Sequence, residues 1–202
     1  MRGTGARAVR TATEVTRTPP AATAAAAHAG VTSIEHCRWL TSATFDDPDL
    51  DDDTAAAIAE KGIIVTPTIG TNYQLNEQRR PGFVAHQTRV LRWQAKHGIR
   101  IMNGTDAGVS PFNLYPHHRY LEAFQRAGFS NPRILDILTR ESAAGLGLAD
   151  RIGTLGHGYS ADLIVVDGDP LTDLTALRRP LLVVARGRRH TPGLNPLTAD
   201  LG

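Results

Sequence analysis

Val31-Thr32-Ser33-Ile34 is a short β-branched run that leads into Glu35-His36. Two later stretches repeat its character. Ile63-Ile64-Val65-Thr66 is closed by Pro67, and Ile99-Arg100-Ile101-Met102 leads into Asn103-Gly104-Thr105-Asp106. The runs start at 31, 63 and 99, at intervals of 32 and 36 residues. Between them lie helical patterns. One covers about Asp51 to Lys61, with Ala55, Ile58 and Ala59 on one side and Gly62 as its stop. The next runs from Phe83 to His97, with Phe83, Val84, Val90, Leu91 and Ala95 at helical spacing, and Gly98 ends it. A further helix is expected near His118 to Ala127. Short apolar strands alternating with amphipathic helices predict a parallel sheet covered on its outer face. The interval suits a (β/α)8 barrel, which spends about 31 residues on each unit. The fold class expected is α/β, with three strand–helix units as part of such a barrel.

After Gly128 the pattern changes. Asn131-Pro132 reads as a helix start, with Ile134, Leu135 and Leu138 as its buried face. From Ile152 the chain reads as β, with Ala161–Asp167 and Leu181–Ala185 as strands and a Gly-Asp-Pro turn at 168–170. A few strands of a small sheet beside the barrel units are expected over 151–190, and a frayed end over 191–202. Residues 1–27 carry four Arg, one Glu and no large apolar residue beyond two Val, and are expected to be a disordered tail. The expected division is therefore 1–27, 28–150, 151–190 and 191–202.

Composition narrows the function classes. With 202 residues, 41% apolar and 21% charged, the chain can build a packed core. No window approaches about 18 unbroken apolar residues, so no membrane span is expected. No secretory leader is legible, and a cytoplasmic location is expected. One cysteine, Cys37, excludes an internal disulfide and a cysteine-based zinc cluster. Net charge is +2 without a dense basic stripe, so no nucleic-acid partner is expected.

In parallel α/β sheets, functional groups gather at the C-terminal ends of the strands. Here those ends carry His36, Pro67-Thr68 and Asp106. An imidazole and a carboxylate at one mouth form a metal-ligand or acid–base pair. Taken alone, the residues leave a second reading open: a satisfied strand-end histidine, and an aspartate that caps the next helix.

Ala29-Gly30-Val31-Thr32-Ser33-Ile34-Glu35-His36 resembles the sixth-strand motif of the amidohydrolase superfamily. Asn103-Gly104-Thr105-Asp106-Ala107-Gly108 is similar to its eighth-strand motif. Gly147–Leu155, Gly158 and Ala161–Leu171 resemble that family's return into a β-sandwich subdomain. The resemblance runs from about Ala21 to His190 and is strongest to the imidazolonepropionase-like and prolidase-like branches. It implies hydrolysis of an amide or cyclic amide C–N bond of a small molecule, with a divalent metal, zinc by preference. It implies Asp106 as metal ligand and proton carrier, and His36 as metal ligand or contact to the substrate oxygen.

The resemblance also exposes a deficit. Family members bind metal through a His-x-His pair, a fourth-strand Lys or Glu and a fifth-strand His. This chain has no His-x-His, and Lys61 and Lys96 lie at helix ends. The match is to the C-terminal half, with an incomplete metal site and little turnover expected from the chain alone. A homo-oligomer or a complementary N-terminal half is the partner expected. The competing expectation is a non-catalytic remnant, or an interaction subunit needing a complementary chain.

Tyr73, His117 and His118 are candidate substrate contacts, set against exposed loop or helix-start roles. Trp39 and Trp93 read as packing residues. Cys37 reads as a small buried residue rather than a nucleophile.

Overall fold

The computed structural model describes residues 11–12, 19–39, 45, 50–70, 73–106 and 120–191. Four parallel strands stand side by side in chain order: β1 (Thr11–Ala12), β2 (Ser33–Glu35), β3 (Ile64–Thr66) and β4 (Arg100–Ile101). Register pairs Ser33 with Ile64 and Val65 with Ile101. Parallel neighbours need a crossover, and helices supply each one. These are α1 (Pro20–Ala29), then α2 (Asp52–Glu60), then α3 (Tyr73–Arg79) with α4 (Phe83–Lys96).

Local chemistry explains the helix ends. Asp51 caps α2 by accepting a hydrogen bond from the Asp53 amide, with Asp52 and Asp53 in the first turn. The acidic run's end thus serves the helix dipole. Gly30 stops α1 at φ +65, where a side chain would be strained. All three residues of β3 are buried, as expected of an interior strand. One core joins Ala27, Ile34, Ala55, Ile58, Val65 and Val90, and so seats α1, α2 and α4 on β2 and β3. A second joins Phe83, Leu91 and Ile101 to Phe124, Ile134 and Ile137. The last three lie in α5 (Leu121–Arg126), α6 (Asn131–Asp136) and the π-helical turn Ile137–Glu141, which runs into α7 (Ser142–Gly145).

Two expectations need correction. Residues 1–27 are not a tail throughout, since Thr11–Ala12 pairs with Ser33–Ile34 and Pro20–Ala29 is a ten-residue helix. Alanine has the best helix propensity, proline suits the first helical position, and the strand pairs through its backbone with β2. The buried face of α4 also differs. Phe83, Val90 and Leu91 are buried as expected, but Val84 is half-buried and Ala95 exposed, while His86, Gln87 and Gln94 lie inside.

The C-terminal part forms a separate antiparallel sheet in the order β5 (Leu163–Val166), β6 (Pro180–Ala185), β7 (Arg188–His190), with a 3-10 turn at Leu174–Arg178. Its apolar residues stay open to solvent on both faces: Ile164 is 51% exposed, Val165 44% and Leu181 63%. Between β5 and β6 the pairs Ile164–Val183 and Val165–Leu182 make both faces apolar, while β7 adds exposed Arg188, Arg189 and His190.

Candidate active site

His36, Thr68 and Asp106 follow the C-terminal ends of β2, β3 and β4. His36 Nε2 lies 3.9 Å from Asp106 Oδ2, across the width of β3. Thr68 makes a short hydrogen bond to His36 Nδ1 from the strand between them. The imidazole is nearly covered (12% exposed), while the carboxylate is open (42%). The structure brings the two groups together. Thr68 meets the other nitrogen of the ring.

The backbone here is unusual. Among the described residues, six without glycine's freedom have positive φ, and five of them lie at this end of the sheet: His36, Cys37, Trp39, Thr68 and Asp106. Each left-handed residue costs on the order of 1 kcal/mol. Such conformations persist where packing over-determines them, and they gather at functional sites. They turn the chain sharply as it leaves the strands, which brings side chains from β2 and β4 together.

Asp106 sits on a loop held from below. Ser142 donates to the Ile137 carbonyl (2.6 Å) and accepts from the Asn103 amide (3.0 Å), which ties that loop to the π-helical turn. A Cβ on Gly104 would fall 2.3 Å from the Thr66 methyl, so the close approach of the loop to β3 requires glycine. Neither Ser142 nor Gly104 carries a sequence signal beyond the motif that includes Gly104.

The Thr68 contact admits two tautomers. If Nδ1–H donates to the threonine oxygen, Nε2 carries a lone pair and can bind a metal ion. If the hydroxyl donates, Nε2–H faces outward as a donor. A gap of 3.9 Å is too long for a hydrogen bond, yet shorter than two zinc–ligand bonds of about 2.1 Å. The pair thus has the chemistry for a shared cation. A catalytic zinc keeps three protein ligands, however, and no group of three His, Cys, Asp or Glu able to hold a metal occurs among the described residues. The donors present fit a metal but do not complete a site.

Tyr73 begins α3. His117 and His118 lie outside the described residues. Cys37 is fully buried, and burial pushes its thiol far up despite hydrogen bonds from Thr23 and Gln94, which excludes a thiolate nucleophile in the folded state. Trp39 is buried edge-on against Trp93, with ring centres 4.8 Å apart, so both are packing residues.

The parallel sheet thus carries an imidazole and a carboxylate together at its C-terminal mouth. The amidohydrolase family model matches residues 12–189, and the chain belongs to that family. It is 30% identical over 182 residues to an imidazolonepropionase of Mesorhizobium japonicum (strain LMG 29417 / CECT 9101 / MAFF 303099), covering 88% of this chain and 36% of the relative. An imidazolonepropionase of Hahella chejuensis (strain KCTC 2396) is 30% identical over 145 residues, or 71% of this chain and 32% of that one. The chain thus spans about a third of the length of these relatives. Among solved structures, an amidohydrolase superimposes with a TM-score of 0.65 at 27% identity, over 88% of this chain and 44% of the other. A Xaa-Pro dipeptidase with methionine in its active site shares the fold, with a TM-score of 0.71 at 24% identity over 85% and 43%. No helix among the described residues is long and apolar enough to cross a membrane.

Proposed function

We propose that this chain supplies the His36 and Asp106 part of a metal-dependent site that hydrolyses C–N bonds of small amides, cyclic ones included. The remaining donors come from polypeptide beyond the described residues, in a complementary N-terminal portion. In this reading the parallel sheet is a segment of a (β/α)8 barrel, and β5–β7 are part of a β-sandwich. The location is cytoplasmic. The observation that carries the proposal is the approach of His36 and Asp106 over β3, with Thr68 orienting the ring.

The named residues have defined tasks. The Asp106 carboxylate takes the proton of the attacking water and returns it to the leaving nitrogen. Its open face suits that exchange. Thr68 holds the His36 ring so that Nε2 faces the reacting group. A metal bound there would supply water activated at neutral pH and polarise the substrate carbonyl.

A second reading, an interaction subunit that works only with a complementary chain, is favoured by the exposed Ile164, Val165 and Leu181. Both readings are tested on the 202-residue chain purified alone and supplied with zinc. Less than one equivalent of tightly held metal and no amide turnover are expected. Adding a chain that carries the metal-binding N-terminal strands of an imidazolonepropionase should then restore zinc-dependent hydrolysis under the first reading. Stable association without hydrolysis would favour the second. Tight one-to-one zinc with turnover by the chain alone would overturn the need for a partner.

A further inference from the structure

The turn after β2 is bent from non-glycine residues, and something must hold it there. His36, Cys37 and Trp39 have φ of +64, +44 and +48. Left alone, such a stretch relaxes to ordinary backbone. Two of its carbonyls are held from one helix. His86 Nε2 bonds the Arg38 carbonyl at 2.7 Å, and Gln94 Nε2 donates to the Cys37 carbonyl at 3.2 Å. The two side chains are eight residues apart on α4, with Val90 between them on the same buried face. Trp93 of the same helix meets Trp39. Two consecutive carbonyls and the next side chain are thus all fixed by α4.

Packing economy does not explain these residues. His86 and Gln94 are 2% and 0% exposed, and each keeps one buried polar atom without a partner, Nδ1 and Oε1 respectively. An unsatisfied buried polar atom costs about 1–3 kcal/mol. Leucine or methionine at either place would remove that cost. What they would lose is the grip on the Cys37 and Arg38 carbonyls.

We propose that His86 and Gln94 are positioning residues that hold the turn after β2 and thereby set the orientation of the His36 imidazole. The proposal deepens the hydrolase reading, since His36 matters through its place beside Asp106. Its test reads the ring itself rather than activity, so the two can fail separately. Because the grip is on the backbone, it acts at one remove. The ring's own hydrogen bond, to Thr68, forms only where the turn delivers it.

The test uses the full chain labelled with 15N-histidine, with His36 signals assigned by their loss in His36→Gln. His86→Leu and Gln94→Met remove each donor at similar volume, while His86→Gln keeps a donor near the position of Nε2. A single His36 tautomer is expected in the parent chain and in His86→Gln. Mixed tautomers or broadened His36 signals are expected in the other two. Folded His86→Leu and Gln94→Met proteins with unchanged His36 signals would overturn the proposal. If either fails to fold, amide exchange in the parent chain decides. The Cys37 amide, bonded to the Glu35 carbonyl, is then expected to exchange as slowly as the amides of α4. Exchange about a hundredfold faster would mean that the turn opens independently of the helix and is not held by it.

Discussion

His36 Nε2 stands 3.9 Å from Asp106 Oδ2, although their strands are not neighbours: β3 lies between β2 and β4. Strand axes two places apart in a sheet are separated by roughly 9.5 Å. The side chains close that gap because the chain turns sharply where it leaves each strand, and Thr68, past the end of the middle strand, bonds the His36 ring. The site is thus a property of three adjacent strand ends, and substitutions at each have different expected effects.

Thr68→Val removes the hydroxyl at nearly constant volume. The loss of one hydrogen bond is worth about 1 kcal/mol, a fall of roughly 2–4 °C in melting temperature for a chain of this size. The sharper effect is on the ring. In 15N spectra, His36 should pass from one tautomer to a mixture. An unchanged tautomer would mean that Thr68 does not orient it.

Gly104→Ala places a methyl group 2.3 Å from the Thr66 side-chain methyl, which is buried. Overpacking of this kind costs about 1–3 kcal/mol. Thr66→Ser takes away the opposing methyl, so the double variant should recover much of the loss in denaturant unfolding. Strict additivity of the two single effects would show that the clash is not the cause.

His86 contributes a pH dependence of known sign. Burial is the main cause that holds its imidazole below the ordinary histidine range. The nearby charges of Arg89 and Arg38 act in the same direction, and the bond to the Arg38 carbonyl opposes them. The unfolded chain therefore binds a proton near pH 6.5 that the folded chain refuses. Stability from this group is complete above that pH and declines as pH falls toward the lowered value. Urea midpoints measured from pH 8 down to pH 5 should fall, and His86→Gln should flatten the slope in that window. A steeper slope in the variant would contradict the assignment. Below about pH 4 a second decline is expected, as Asp51 and Asp136 lose the hydrogen bonds from Thr54 and Arg140 that keep their carboxyl groups low.

Cys37 should be silent to thiol reagents in the folded protein and react fully in urea. Cys37 is a buried residue of the turn whose carbonyl Gln94 holds, so the labelling rate also reports opening of that turn. Rapid labelling under native conditions would show that the turn is loose.

The strands at 31, 63 and 99 were legible because each is a short apolar run bounded by glycine or proline, and helices fill the intervals. Thr11–Ala12 was not legible, since a two-residue strand held by backbone bonds leaves no side-chain period. His36 and Asp106 stood out because position at a strand end and local motif agreed. Thr68 was visible only as a strand-end residue, and nothing marked it as a partner of the His36 ring. His86 and Gln94 look like interruptions of an apolar stripe, and only the carbonyls they meet reveal their purpose. The apolar pattern of β5 and β6 suggested burial, yet this chain does not cover Ile164 or Leu181. Pattern reports that a strand is apolar, and not whether a layer covers it.

Zinc titration of the full chain, followed at the His36 imidazole nitrogens, tests the shared pocket most directly. Weak, saturable shifts at His36 Nε2, lost in Asp106→Asn, are expected of two donors that face one ion without a third. His36 signals that ignore zinc, or that respond identically in Asp106→Asn, would contradict a common site.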